Sequence, residues 1–504
     1  MSLLGIDVGT TGSKAVVVDS GGHILASAYL EYPVLSPRAG WFELDSHKVL
    51  STCKEVISKA ALHVRDSDPV KAIGISSQGE AFTAIDKDGA YLCNAMVSFD
   101  ARSQKQVKAF VRSFGAEALY RITGHSAHTL FSLFKILWIK ENWPDVFGKM
   151  SKLMCMGDML GFELTGRAAI SYNLASRTML FDVNKLLWSQ EILAAVGLDS
   201  GVLSQAIGAG EIIGKVRAQI STTLGLGNDV CVVTGGHDQS CGALGAGAIE
   251  AGTAAYSIGT VECITPAFGS CVLDEAMRLS NLATYPHTVA GLFTTVAFAT
   301  TGGSGLRWFR DTFGKYEIEQ SAATGQDVYD LLLKDMPQKP SGLVVLPHFT
   351  STGTPHFDPS PTGAILGLQL STSKGELIKG LLEGITYEMK LNLELLRKAG
   401  IEVEHLRAFG GGTKSSAWMQ IKADILEIPI VSVEMSEAGC LGAAMLAAKA
   451  MGLIGSLREC SDSWVKVGRR YVPDEKRAKV YRDRYAVYQG LYKMLKPIGR
   501  KLVS

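Results

Sequence analysis

The stretch Leu3-Leu4-Gly5-Ile6-Asp7-Val8-Gly9-Thr10-Thr11-Gly12-Ser13-Lys14-Ala15-Val16-Val17-Val18-Asp19 sets two short apolar runs on either side of a small-residue turn. Such runs predict a β-hairpin, with Asp7 at the end of its first, buried strand. The turn combines two glycines, the hydroxyls of Thr10, Thr11 and Ser13, and the ammonium of Lys14. Glycine brings backbone N–H groups close to an anion, and hydroxyls and a cation supply further donors. Gly9, Thr10, Thr11, Gly12, Ser13 and Lys14 are therefore candidate phosphate ligands. Asp7 is a candidate for Mg²⁺, acting through water because that ion dehydrates reluctantly. A strand follows this loop, so it is not the Gly-x-x-x-x-Gly-Lys-Ser/Thr type, which opens a helix. A tight hairpin with a turn-forming Asp7 accounts for the same residues.

Outward from the hairpin, residues 23–29 read as a further strand and 45–64 as a helix capped by Asp45 or Ser46. Residues 70–76 read as a buried strand ending in Ser77-Gln78-Gly79-Glu80, followed by a strand at 81–86. Helices are predicted at 103–112 and 130–143, the latter stopped near Pro144. A strand at 229–234 runs into Gly235-Gly236-His237-Asp238-Gln239, and a helix of small residues follows at 240–247. The scheme then restarts. Residues 254–257 and 261–265 flank Ile258-Gly259-Thr260 as a second hairpin, with a strand at 342–347 and a long amphipathic helix at 374–399. A strand at 405–409 enters Gly410-Gly411-Gly412, and then come a helix at 415–426, a strand at 429–433, an Ala/Gly-rich helix at 439–452 and a charged helical tail. The repetition predicts an α/β protein of two similar domains, 1–248 and 249–504, with a cleft between them.

Composition bounds the function. The 504 residues are too many for one core. The chain carries 50 basic and 49 acidic residues, a net charge of +1, which argues against a nucleic-acid or membrane-surface binder with its concentrated positive field. No apolar run is long enough to span a membrane, and the N-terminus meets Asp7 without a basic leader, so no secretory signal is expected. The nine cysteines are odd in number and show no Cys-x-x-Cys pair, which fits a reducing cytoplasm rather than a disulfide framework.

Four constellations carry chemistry. Asp7 to Lys14 is the first. In the second, Asp238 follows two glycines at a strand end and opens a helix, which suits a carboxylate serving as base toward an alcohol. A capping role for Asp238 fits equally, and His237 reads as structural. The third comprises Gly259-Thr260 and the Gly410-Gly411-Gly412 run to Ser415, where N–H groups and a helix dipole favour a nucleotide. Helix–strand packing would also explain that triplet. In the fourth, Gln78 with Glu80, and Asp100 with Arg102, offer directional partners for vicinal hydroxyls. A surface ion pair is the plain alternative for Asp100 and Arg102.

At these residues the sequence resembles the FGGY carbohydrate kinase family of the actin-like, sugar-kinase and Hsp70 ATPase superfamily. The pieces occur in family order: Gly5-Ile6-Asp7-x-Gly9-Thr10-Thr11, Gly74-Ile75-Ser76-x-Gln78, Asp100-x-Arg102, Gly236-His237-Asp238, Ser257-x-Gly259-Thr260, and Gly410-Gly411-Gly412 onward to Asp424. The resemblance implies two ribonuclease-H-like (actin-like ATPase) domains, ATP and Mg²⁺ in the central cleft, and phosphorylation of a small sugar or polyol. It implies Asp238 as the base and Asp7, with Asp238, as the Mg²⁺ acids. It places Gly9 to Lys14 and Gly259-Thr260 around phosphates, and Gly303, Gly411, Gly412 and Ser415 at the nucleotide. Gln78, Glu80, Asp100, Arg102, Asp238 and Gln239 are left for the carbohydrate, and a homodimer is the family prior. Two departures bear on the substrate. Xylulose kinases usually carry Gln-Met-His and glycerol kinases Gln-Arg-Glu where this chain has Gln78-Gly79-Glu80, and Leu130 stands where glycerol kinases place a Tyr. A nucleotide-gated filament or chaperone-like ATPase, or a non-catalytic regulator, is the competing reading, and the carbohydrate-facing side chains of the first half count against it.

Overall fold

A computed structural model of the chain describes residues 1–435 and 437–503, with the side chains of all but the last of these. Its principal elements are numbered here in chain order. β1 (Ser2–Val8) and β2 (Gly12–Val18) form the antiparallel hairpin, with Asp7 opposite Lys14 and Val8 opposite Ser13. β3 (Ile24–Glu31) pairs with β2, and α1 (Ser46–Val64) is capped by the Asp45 carboxylate, which accepts from the N–H groups of His47 and Lys48. β4 (Val70–Ser77) lies parallel to β1. β6 (Cys231–His237) lies parallel to β4, and β5 (Ile212–Lys215) closes the edge antiparallel to β6. The first sheet thus runs β5-β6-β4-β1-β2-β3, and α2 (Asp238–Gly245) leaves its centre.

Between β4 and β5 the chain makes an inserted layer around Phe82, Phe110, Phe134 and Phe181. The predicted helices are there as Gln104–Phe114 and Ser132–Asn142. Pro144 opens the next helix, Pro144–Lys149, at a first-turn position whose N–H would be unpaired in any residue.

The second half repeats the sheet. β7 (Thr253–Ile258) and β8 (Glu262–Phe268) form the hairpin, extended by the short strands β9 (Tyr285–Pro286), β10 (Phe293–Thr294) and β11 (Ala297–Ala299). After α3 (Gly303–Phe313) and the 25-residue α4 (Lys374–Lys398), β12 (His405–Phe409) lies parallel to β7. Then come α5 (Ser416–Leu426), β13 (Ile430–Val433), α6 (Ala438–Ala450), the antiparallel edge β14 (Val467–Tyr471) and α7 (Glu475–Val503). From β11 to β14 this sheet alternates antiparallel, antiparallel, parallel, parallel, antiparallel, as the first does from β3 to β5.

The two halves meet through α6, which packs on β1 and β4 of the first sheet and crosses α2. Both contacts are backbone against backbone. A Cβ at Gly5 or Gly74 would stand 1.8 or 2.0 Å from the carbonyl oxygens of Cys440 and Ala443. A Cβ at Gly245 or Gly442 would stand 1.9 or 2.0 Å from those of Ala438 and Cys241. None of the nine cysteines is in a disulfide, and no described helix is long and apolar enough to cross a membrane.

This crossing predicts a steep cost for one methyl group. Gly442→Ala should lose about 3 kcal/mol, the upper end of ordinary overpacking, because the α2 backbone at Cys241 and Gly245 faces the new atom. Gly269→Ala, with no atom within 4 Å of the added Cβ, should stay within about 0.5 kcal/mol of the parent. Thermal unfolding of the two variants measures the contrast, and equal melting temperatures would contradict it.

Candidate active site

Asp238 sits where β6 ends and α2 begins, as that helix's first residue. One carboxylate oxygen accepts the N–H of Gln239 at 2.6 Å and lies 3.2 Å from Nε2 of His237. Burial, joined by the charge of Asp7, pushes its carboxyl up to about 7. Burial also raises the Asp7 carboxyl, opposed by the Ser76 hydroxyl, which donates to Oδ1 at 2.7 Å, then raised further by Glu437 and relieved by Lys14. The start of α6 lies beside Asp7, since a Cβ on Gly439 would stand 3.4 Å from its Cγ. Two helix N-termini, with their partial positive charge, thus point at two acids in one cleft.

Asp238 faces a cavity of about 200 Å³ whose wall comes from both halves. Thr10, Gln78, Glu80 and Gln239 line it from the first half, and Asn281, Phe298 and Phe357 from the second. Gln78 also ties this cavity to the first hairpin, donating to the Gly9 carbonyl at 3.0 Å and accepting from the Thr10 hydroxyl at 3.1 Å. Glu80 is ion-paired with Arg177. Arg177 also lines the cavity, although the sequence reading did not find it. It lies 97 residues downstream of Glu80 in an unremarkable segment, and only the fold joins them.

Several expected ligands are turned elsewhere. Asp100 and Arg102 form no part of that wall. They make a buried ion pair with Glu43, Asp100 accepting from Arg102 and from the Phe42 N–H, beneath the Trp41 ring. Neither a carbohydrate contact nor a surface pair describes them, because both side chains are almost wholly covered. Ser13 alternates to the buried face of β2, where its hydroxyl meets Tyr32 and Cys53, so it offers nothing to a phosphate. Lys14 is held by Glu437 at 2.8 Å. Gly9 and Gly12 close the turn by a 3.0 Å N–H to carbonyl bond, leaving Thr10 and Thr11 at its tip.

A second cavity, of about 550 Å³, gathers Gly259, Thr260, Gly303, Gly411, Gly412 and Ser415. Gly303 packs on the second hairpin, its N–H donating to the Gly259 carbonyl at 2.8 Å, and a Cβ there would stand 2.8 Å from that same oxygen. The Ser415 hydroxyl caps α5 by accepting from the Trp418 N–H. Arg307, Asp327, Tyr329 and Asp330 also line this cavity and were missed in the sequence. The Gly302-Gly303-Ser304-Gly305 run before Arg307 was the one local signal of a close approach. The hairpin β7–β8 serves both cavities, with Gly259 and Thr260 in the larger and Cys263 in the smaller.

The profile of the FGGY family of carbohydrate kinases, N-terminal domain, matches residues 2–245, and that of its C-terminal domain matches residues 254–451. The chain belongs to the FGGY family of carbohydrate kinases. Among similar proteins are a xylulose kinase of Bacillus subtilis, 27% identical over 100% of this chain and 99% of that one. A gluconokinase of Bacillus licheniformis is 29% identical over 98% and 96% of the two chains. The crystal structure of a xyloylose kinase from Brucella ovis superposes with a TM-score of 0.89 at 26% identity, covering 99% of this chain and 100% of that one. The kinase has the two-domain, actin-like ATPase fold of this family and phosphorylates a hydroxyl of a small sugar or polyol at the expense of ATP. The filament and regulator readings are set aside with that result.

The raised Asp238 carboxyl makes stability depend on pH. Its proton is held more tightly in the folded state, at about 7, than at the ordinary value of 3.8. Stability from this group is therefore full below pH 4 and lost as pH climbs to 7. Asp238→Asn removes the loss. In metal-free buffer the variant's melting temperature should gain on the parent's between pH 4 and 7, with no further gain above. A constant difference across that range would contradict the shift.

Proposed function

We propose that Asp238 is the base of the phosphoryl transfer. The observation that carries this reading is its place on the wall of a small cavity of mixed polar and apolar lining built by both halves, at a helix N-terminus and in the field of Asp7. The acceptor occupies that cavity, its chain held among Gln78, Glu80 and Gln239. As the acceptor oxygen attacks the terminal phosphorus of ATP, its proton passes to the Asp238 carboxylate and the bond from that phosphorus to the ADP oxygen breaks. Most of the rate comes from alignment and charge, as is general for this chemistry. Thr10 and Thr11 at one hairpin tip, and Gly259 and Thr260 at the other, are the proposed phosphate contacts. Gly303, Gly411, Gly412 and Ser415 are the proposed walls for the rest of the nucleotide.

The donor set fits Mg²⁺. Asp7 and Asp238 are two carboxylates whose ionised forms are disfavoured by burial, and no group of three or more metal-ligating side chains occurs among the described residues. Two acids suit an ion that keeps its waters and arrives with phosphates. When bound, it would offset charge on the phosphates and on these two acids. The halves 1–248 and 249–504 are proposed as the two bodies that close on the ligands, since the acceptor cavity draws wall residues from each.

Two variants test the assignments. Asp238→Asn should lower kcat by roughly 10²- to 10⁴-fold, the usual contribution of a general base, while ATP-analogue binding persists. Turnover at the parent rate would remove Asp238 from the mechanism. Gly411→Ala adds a methyl with no protein atom within 4 Å. It should leave the melting temperature unchanged and raise KM for ATP by about tenfold, the effect of a small steric intrusion. An unchanged KM would place the nucleotide elsewhere.

A further inference from the structure

A buried ion pair joins the elements that wall the larger cavity. Lys422 of α5 donates to Glu262 Oε1 at 2.6 Å and Oε2 at 2.8 Å, and to the Tyr256 hydroxyl at 2.9 Å. The Tyr256 hydroxyl in turn donates to Glu262 Oε2. Both charged side chains are wholly buried, and neither lines the larger or the smaller cavity. Lys422 Nζ lies 4.4 Å from the ring centroid of Trp418, which does line the larger one. Glu262 stands opposite Ile258, and that pair closes the hairpin turn Gly259-Thr260-Val261. A Cβ on Gly302 would stand 2.9 Å from Glu262 Cγ, so the start of α3 packs on the same side chain. The N–H groups of Gly302 and Ser304 donate to the Thr260 carbonyl at 3.2 and 3.1 Å.

Such a pair is a poor source of stability. Desolvating two charges offsets most of their attraction, and an apolar cluster of similar volume often serves the fold as well. The first hairpin shows that the closing position needs no charge, since Ser13, opposite Val8, meets the neutral Tyr32 and Cys53 there. What the ion pair adds is direction. Its bonds tie β8 to α5 and to β7 at once, and the Gly411-Gly412 run lies just ahead of α5. Gly412 approaches the hairpin closely, because a Cβ there would stand 2.2 Å from Ile258 Cγ2. The Thr260 turn is thereby held in register with the glycines of the same cavity.

We infer that Lys422, Glu262 and Tyr256 are positioning residues for the phosphoryl transfer, holding the Thr260 turn against the phosphates of ATP without touching them. This assignment rests on the larger cavity being the nucleotide site. The pair is neutral as a whole, so it brings no net charge to the phosphates, and its contribution is the placement of the turn. Its loss weakens ligands that carry phosphates and spares those that lack them.

The test is calorimetric binding of two ligands, a non-hydrolysable ATP analogue with Mg²⁺ and adenosine. Lys422→Met leaves Glu262 buried without its counter-charge and should melt below the parent. The triple variant Tyr256→Phe/Glu262→Met/Lys422→Met makes the whole cluster apolar and should recover that melting temperature. It should still bind the ATP analogue about tenfold more weakly than the parent, the size of one hydrogen bond to a charged group, with adenosine affinity within about twofold. Tyr256→Phe alone should weaken the analogue by about threefold, and it decides the matter if the triple variant does not fold. Analogue affinity that recovers with the melting temperature, or a loss shared equally by adenosine, would overturn the inference. Gly411→Ala reports on the cavity itself, where a nucleotide site requires weaker binding of both ligands. Parent-like affinities in Gly411→Ala would locate a failure in the reading of the cavity. Weakened binding there beside a parent-like triple variant would locate it in Lys422 and its partners.

Discussion

Two helices from opposite halves of the kinase cross with backbone against backbone. Gly245 of α2 meets the carbonyl of Ala438, and Gly442 of α6 meets that of Cys241, at separations no side chain permits. The same α6 lies on Gly5 and Gly74 of the first sheet. Small residues are therefore required at the junction itself, and the approach of α6 to α2 and to the first sheet is set to within a methyl group. Cavity shape follows from this, because α2 begins with Asp238 and α6 begins beside Asp7. A shift at the crossing would move the start of α6 relative to Asp7 and Asp238, which both stand on the first half.

The crossing also sets the electrostatics. Helix N-termini and the Gln239 N–H favour ionised carboxylates, as do Ser76 and Lys14 at Asp7. Burial wins nonetheless. Both acids titrate higher than they would in water, and each carries a cost that further positive charge would relieve. A site that is unfavourable when empty and neutralised when filled suits a reaction in which phosphates and their counter-ion arrive together.

Sheet duplication supplies similar scaffolds for unlike tasks. In the first half, Gln78 and Tyr32 brace the hairpin turn at the Gly9 carbonyl, and the turn tip borders the acceptor cavity. In the second, Gly303 braces the turn from the start of α3, and the tip borders the larger cavity. One strand pair, β7–β8, touches both ligand spaces, which brings the proposed donor and acceptor to a common boundary.

Much of this was legible along the chain. Hairpins, the central strands, α1, α4 and the placement of Asp238 at a helix start all follow from apolar runs, glycine pairs and caps, which are local signals. The nucleotide glycines were legible for the same reason, as each marks a strand end or a helix start. Tertiary structure decided which side chains are free to act. Ser13 falls on the buried face because strand residues alternate, Lys14 is claimed by Glu437 some 423 residues away, and Asp100 is paired with Arg102, which also meets Glu43 and the rings of Trp41 and Trp138. Arg177 joins Glu80 only through the fold. The hairpin that opened the chain keeps its place at the cleft, but a partner remote in sequence can take up a hydroxyl or charge that the local pattern offers to the site. That competition is settled among residues remote in sequence, so no local pattern encodes it.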